Sequence, residues 1–264
     1  MCLILFAWQA HPRYPLVVAA NRDEFHSRPA AAADWWADAS DVLAGRDLKA
    51  DGTWMGVNRN GRFAAITNYR EPQAPELPLA FSRGHLVRDF LISEESVEEH
   101  AWRLQGSGAA YHGFSLLMGD GQNLVCVSNR TQEPVRIAPG SHALSNHLLD
   151  TDWPKARHGR RRLDELLQAD RLVPENLLQV LADRSLAPGE EPEAFDLRLA
   201  PERLTRLAFI VNSEYGTRCS TILLTNRESG IEYVERQFDA AGNAVGTAMF
   251  EFQAHAMAAS RYRP

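Results

Sequence analysis

"MCLILFAWQAHPRYPLVVAANRDEF" (residues 1–25) contains two apolar runs, "CLILFAW" and "LVVAANR", joined by a segment carrying Pro12 and Pro15. Proline lacks a backbone N–H and fixes φ, so no helix continues through that join. Runs this short are ambiguous by periodicity alone, but with the break between them they read as a buried β-hairpin. Such a hairpin brings "NRDE" (21–24), at the end of the second run, alongside Cys2 at the start of the first. Four consecutive polar residues closing an apolar strand are costly to bury unless they serve one another or a ligand.

Cys2 admits two readings. Cysteine often behaves as a small buried hydrophobe. If Met1 is removed, which a small second residue permits, thiol and free α-amine sit on one residue. The thiol then attacks a carbonyl while the amine acts as general base. An α-amine with a pKa of about 7.7–8.0 keeps an appreciable neutral fraction near pH 7. In this reading Arg22 stabilises a thiolate, Asp23 accepts from the α-ammonium or orients the amine, and Glu24 faces solvent. The alternative for the tetrad is a charged turn that caps the strand.

Farther along, a Pro/Ala/Trp-rich loop precedes "GTWMGVNRNGRFAAITNY" (52–69), where Asn60-Gly61 signals a tight turn between two strands. "SRGHLVRDFLISEESVEEHAWRL" predicts two helices. Leu86, Val87, Phe90 and Leu91 form the stripe of the first, and Ser96 with Glu99 is a capping box for the second. "GFSLLMGDGQNLVCVSN" (113–129) gives a further hairpin, and "PVRIAPGSHALSN" is extended. "WPKARHGRRRLDELLQ" and "PENLLQVLADRS" predict helices, the basic cluster being a solvated helix face or, alternatively, an anion contact. "LAPGEEPEAFDLRLAPERL" (186–204) is an irregular excursion. Four strands are predicted after it, at "RLAFIV", "TRCSTILLT", "GIEYVERQF" and "TAMFEFQ". This order lacks regular βαβ alternation and predicts α+β layering, antiparallel sheets with helices outside, in one domain over residues 1–264.

The 264 residues are 45% hydrophobic and 23% charged, with a formal net charge of −6, which argues against a general nucleic-acid binder. Cys2, Cys126 and Cys219 form no CxxC pair and no disulfide framework, so a reducing, cytoplasmic setting is expected. No secretory signal and no run of about 18 apolar residues occurs, so no membrane span is expected. Phosphate-loop, dinucleotide and HExxH patterns are missing. The scattered histidines suggest no metal site, and "GDGQN" is a turn rather than a calcium loop.

"MCLILF", "AANRDEFHSRP", "LAGRDLKADGTWMGVNRNGRFAAITNYR", "RGHLVRDFL", "GFSLLMGD", "LSNHLLDTDWPK" and "YGTRCSTILL", in this order from residue 2 to about residue 252, resemble the NRDE family, also called the transport and Golgi organization protein 2 family. That family is similar to N-terminal nucleophile (Ntn) hydrolases. The resemblance implies a four-layer αββα sandwich of Ntn-hydrolase type, two stacked and mainly antiparallel sheets with outer helices. It also implies that Cys2 is the nucleophile. Arg22 and Asp23 correspond to the arginine and aspartate ending the second strand, at compressed spacing. Asn146 in "LSNHLLDTDW" resembles an oxyanion-hole asparagine, and Arg218 in "YGTRCSTILL" a late active-site arginine. Asn68 in "ITNYR" is a candidate second amide of the same pocket, or a strand-end cap.

Two functions follow as expectations. One is an amidohydrolase that cleaves a linear, non-peptide amide or related acyl bond and needs no cofactor. The other, implied by the family's association with haem handling and with lipid or acyl-CoA metabolism, is a non-catalytic haem, lipid or acyl-CoA binding or trafficking protein. Asn21 joins the candidate binding residues in either case. The tryptophans near the front, Trp54 among them, line an apolar pocket or belong to the core.

Overall fold

The computed structural model describes residues 2–71, 80–184 and 206–255. The opening hairpin forms as read. Strands β1 (Cys2–Trp8) and β2 (Leu16–Phe25) pair antiparallel, with Cys2 opposite Arg22 and Trp8 opposite Leu16. The expected loop after it is instead a second hairpin, β3 (Ala30–Trp36) and β4 (Ala39–Asp47). Its alanines carry no period-2 signal, and the strands are fixed by one remote carboxylate and by an indole bond within the hairpin. Glu235 accepts the Ala33 N–H at 2.8 Å, and the Trp36 indole donates to the Ala44 carbonyl at 3.0 Å.

Strands β5 (Met55–Asn58) and β6 (Phe63–Asn68) turn through Asn60-Gly61, with Gly61 at φ +76°. The Asn58 side chain accepts the N–H groups of Asn60 and Arg62 and closes that turn. Helices α1 (Gly84–Ile92) and α2 (Val97–Ser107) follow, the second starting at the Ser96/Glu99 capping box. Next come β7 (Phe114–Gly119), β8 (Leu124–Ser128), β9 (Val135–Arg136) and β10 (Gly140–Leu144). Helices α3 (Pro154–Gln168) and α4 (Pro174–Leu181) each begin on proline, which suits a first turn whose N–H groups need no intrahelical partner. The excursion read at 186–204 lies outside the described residues.

Of the four late strands expected, three form: β11 (Tyr215–Thr225), β12 (Gly230–Phe238) and β13 (Ala244–Gln253). "RLAFIV" (206–211) is not a strand. Ala208, Phe209 and Ile210 are buried, but the segment's backbone groups go one by one to different partners: Asn21 takes the Ala208 carbonyl, Asp183 the Phe209 N–H, and Thr217 Oγ1 the Ile210 N–H.

One sheet has the order β10-β1-β2-β11-β12-β13 and the other β3-β4-β5-β6-β7-β8-β9, antiparallel throughout. Alternation along β1 divides the core. Ile4, Phe6 and Trp8 pack toward Met55, Phe63 and Leu117 of the other sheet. Leu3, Leu5 and Ala7 pack toward Leu163, Leu177 and Leu181 of α3 and α4. Helices α1 and α2 cover the far face of the second sheet, so the molecule is the expected αββα sandwich. A Cβ on Gly159 would stand 2.7 Å from Leu5 Cδ1, so only glycine there lets α3 lie this close to β1. That close approach positions the first turn of α3 beneath the strand ends that carry the site.

Candidate functional site

Cys2 begins β1 on the face that looks between the sheets and is 8% exposed at the floor of a cleft of about 540 Å³. Its backbone nitrogen donates to Asn146 Oδ1 at 3.2 Å, and its carbonyl accepts from Ser145 Oγ at 2.7 Å. Asn146 follows β10, the edge strand beside β1, and its Nδ2 donates to the Asn68 carbonyl at 3.0 Å. One buried amide thus spans the two sheets and fixes the Cys2 nitrogen. The Asn68 side chain, at the exposed end of β6, lines the cleft.

Arg22 is the register partner of Cys2 on one side and of Cys219 on the other. Its guanidinium lies 3.9 Å from Glu24, a loose pair. Residue Arg218 is the extra residue of a bulge in β11, between Thr217 opposite Asp23 and Cys219 opposite Arg22. A bulge re-aims a side chain, and here the Arg218 guanidinium lines the cleft while donating to the Phe25 and Arg28 carbonyls at 2.8 and 3.1 Å. Trp54 is both things the sequence allowed, 9% exposed within the inter-sheet core and part of the cleft wall.

Asp23 and Asn21 occupy the opposite face of β2. The Asp23 carboxylate accepts from Thr217 Oγ1 at 2.7 Å, and burial pushes its pKa up against the pull of the chain's amino terminus and of Lys155. Asn21 lies away from the cleft. Its Nδ2 donates to the Leu181 and Ala208 carbonyls at 2.9 and 2.7 Å, and its Oδ1 accepts from Ser220 at 2.6 Å. It ties β2 to the helix layer. Asn21→Ala leaves two buried carbonyls without their donor and is expected to cost about 1–3 kcal/mol, read as a lowered urea midpoint at unchanged m value.

Sequence reasoning missed Lys155. In the basic run the other cations line the solvated side of α3, but Lys155 is 2% exposed and its Nζ has no hydrogen-bond partner. Burial lowers its pKa, while Asp23 and Cys2 pull it back up. Its signal was periodicity: Lys155, Gly159 and Leu163 repeat every fourth residue on the buried stripe of α3. Burial also pushes the Cys2 thiol up, against the lowering effects of the amino terminus, the Asp23 N–H and Arg22; the Asp23 carboxylate adds to the rise.

The three cysteines are free and buried. Among the described residues no helix is long and apolar enough to cross a membrane.

A family model described as "Transport and Golgi organisation 2" matches residues 1–240. A Bos taurus transport and Golgi organization protein 2 homolog is 35% identical over 257 residues, covering 89% of this chain and 92% of that protein. The Homo sapiens homolog is 31% identical over 258 residues, with the same coverage. The Drosophila melanogaster protein is 26% identical over 265 residues, covering 89% and 91%. Among solved structures, a Caenorhabditis elegans ortholog of N-acylethanolamine-hydrolyzing acid amidase superposes with TM-score 0.49 at 11% identity, covering 84% of this chain and 92% of that one. A mutant conjugated bile acid hydrolase from Clostridium perfringens gives TM-score 0.44 at 10% identity, covering 97% of both chains.

Proposed function

The chain belongs to the Transport and Golgi organisation 2 family, and from that membership and its own cleft we propose that it is a cysteine amidohydrolase acting on a linear, non-peptide amide once Met1 is removed. The observation that carries the reading is the Cys2 nitrogen on Asn146 Oδ1, with the sulfur on the cleft floor and Arg22 directly opposite.

Removal of Met1 turns that nitrogen into an α-amine already anchored by one hydrogen bond. In its neutral form the amine donates one hydrogen to Asn146 and keeps its lone pair for the thiol proton. The Cys2 sulfur attacks the carbonyl carbon, and the resulting oxyanion takes hydrogen bonds from the second Asn146 Nδ2 hydrogen and the Asn68 amide. The α-ammonium passes its proton to the leaving nitrogen as the C–N bond breaks, leaving a thioester on Cys2. Water, deprotonated by the same amine, releases the acid. Arg22 favours the thiolate, and Asp23 with Lys155 sets the charge behind the amine.

The intact mass of the purified protein tests the first requirement: Met1 is expected to be absent, and iodoacetamide is expected to label Cys2 ahead of Cys126. Retention of Met1 on native protein overturns the reading. The apolar part of the lining, Trp54 and Ile66 among it, favours a second reading, a non-catalytic haem or acyl-CoA carrier using the same cleft. A Soret band on haemin titration that disappears in Cys2→Ala supports the carrier; an unchanged spectrum at micromolar haemin removes it.

A further inference from the structure

The cleft is more positive than its acidic parent molecule. Arg22, Arg28, Arg46, Arg83 and Arg218 line it, on a chain whose net charge is −6, and Arg46 is paired with Asp38. Arg28 is neutralised by Asp47 at 2.6 Å, and Glu24 lies 3.9 Å from both Arg22 and Arg28. The cleft's other carboxylates do not balance the rest. Asp23 accepts from Thr217 on the helix side of β2, and Glu235 is buried, accepting the Ala33 N–H.

Arg83 and Arg218 are left with carbonyl partners only. Arg83 donates to the Gly113 carbonyl at 3.0 Å, and Arg218 to the chain that follows β2. Neither makes an ion pair with a carboxylate among the described residues. Both are substantially withdrawn from solvent, and burial lowers the pKa of each. Arg83 is also held rigidly. It immediately precedes α1, where the backbones of Gly52 and Gly84 touch so closely that a Cβ on Gly52 would lie 2.5 Å from the Gly84 carbonyl carbon. The Thr53 N–H donates to the Gly84 carbonyl at 3.2 Å across the same contact. Arg83 and Cys2 line the same cleft, and the charge of the sulfur acts to raise the Arg83 pKa against its burial.

Two half-buried guanidinium groups that make no ion pair among the described residues and feel Glu24 only at a distance, beside a candidate nucleophile, have the chemistry of an anion receptor. The cleft lining also has apolar members, Trp54, Ile66, Ala31 and Val245. We propose that Arg83 and Arg218 form an anion subsite, and that the ligand is an N-acyl amide with an apolar acyl chain and a carboxylate or phosphate close to the amide bond. This substrate class rests on the amidohydrolase reading above, but the subsite itself is tested by binding alone.

Calorimetric titration of full-length Cys2→Ala protein, which cannot turn an amide over, compares three probes: N-dodecanoylglycine, its neutral counterpart N-dodecanoylglycinamide, and N-dodecanoyl phosphoethanolamine. At least one anionic probe is expected to bind about tenfold or more tighter than the glycinamide. The better anionic probe distinguishes a carboxylate from a phosphate. Adding Arg83→Gln is expected to remove most of that preference and Arg83→Lys to restore part of it. Glycinamide affinity should not change in either, which also reports that the cleft is folded. Equal affinities for charged and neutral probes overturn the proposal, as does a preference that survives Arg83→Gln combined with Arg218→Gln. A protein that shows the preference but never hydrolyses these amides in its Cys2 form retains the subsite and loses the amidohydrolase reading.

Discussion

A chain in which any residue is kept ahead of Cys2 is expected to lose turnover by about 10²–10⁴-fold, the range that a positioned general base contributes. With a peptide bond in place the Cys2 nitrogen still donates to Asn146, but its lone pair is delocalised and takes no proton. Everything else in the cleft survives, so the loss isolates the amine. The comparison is between processed protein and protein made with a short N-terminal extension, assayed on acyl 4-nitroanilides. Folding is checked by the urea midpoint, which should agree between the two. The pH dependence adds a second readout. In the unprocessed chain burial pushes the Cys2 thiol above its ordinary range, so alkylation should be slow at pH 7 and rise steadily above pH 9. In the processed chain the ammonium sits on the same residue, so alkylation should begin at lower pH. Equal turnover with and without the extension would sink the α-amine mechanism.

Local chemistry made most of the fold legible. The prolines between β1 and β2, Asn60-Gly61, and the Ser96/Glu99 box each act within a few residues, and each forms as read. What escaped depended on remote partners. The strand Ala30–Trp36 is fixed in part by Glu235, some two hundred residues later, and "RLAFIV" loses its strand because Asn21, Asp183 and Thr217 divide its backbone groups. The site follows the same logic. Cys2 against Arg22 was readable because hairpin pairing is local, and Asn146 came from resemblance. Asn21 and Asp23 share the "NRDE" tetrad with Arg22, yet the period of two sends them to the opposite face of the sheet. Lys155 was hidden because a lysine in a run of arginines looks solvated until its place on the apolar stripe of α3 is counted.

Lys155→Met carries the second large effect, and it acts on stability. Lys155 is buried near Asp23 and Cys2, and methionine matches its length without its charge. Lys155 makes no hydrogen bond and no ion pair with Asp23, but its charge offsets the burial of that carboxylate. Removing it is expected to cost up to about 3 kcal/mol, because Asp23 stays desolvated with less to balance it. Here Asp23 would keep its bond from Thr217 and lose one of its positive neighbours. The double variant Asp23→Asn/Lys155→Met should recover much of that loss, and the coupling between the two positions is the quantity to measure. The sign of the pH effect follows from Asp23. Its folded pKa is already raised by burial, and loss of Lys155 raises it further, so the folded variant binds a proton that the unfolded chain releases above about pH 4. Stability of Lys155→Met therefore falls as pH rises from about 4 through the folded Asp23 pKa, and goes on falling to a higher pH than in the parent, so its deficit grows with pH. A deficit that does not grow anywhere above about pH 4, or a double variant no more stable than Lys155→Met, would show that Lys155 fills space in α3 without balancing Asp23. With a confirmed coupling, Lys155 becomes the group that keeps a carboxylate ionised behind the Cys2 amine, and its loss should also move the acid limb of any turnover profile to higher pH.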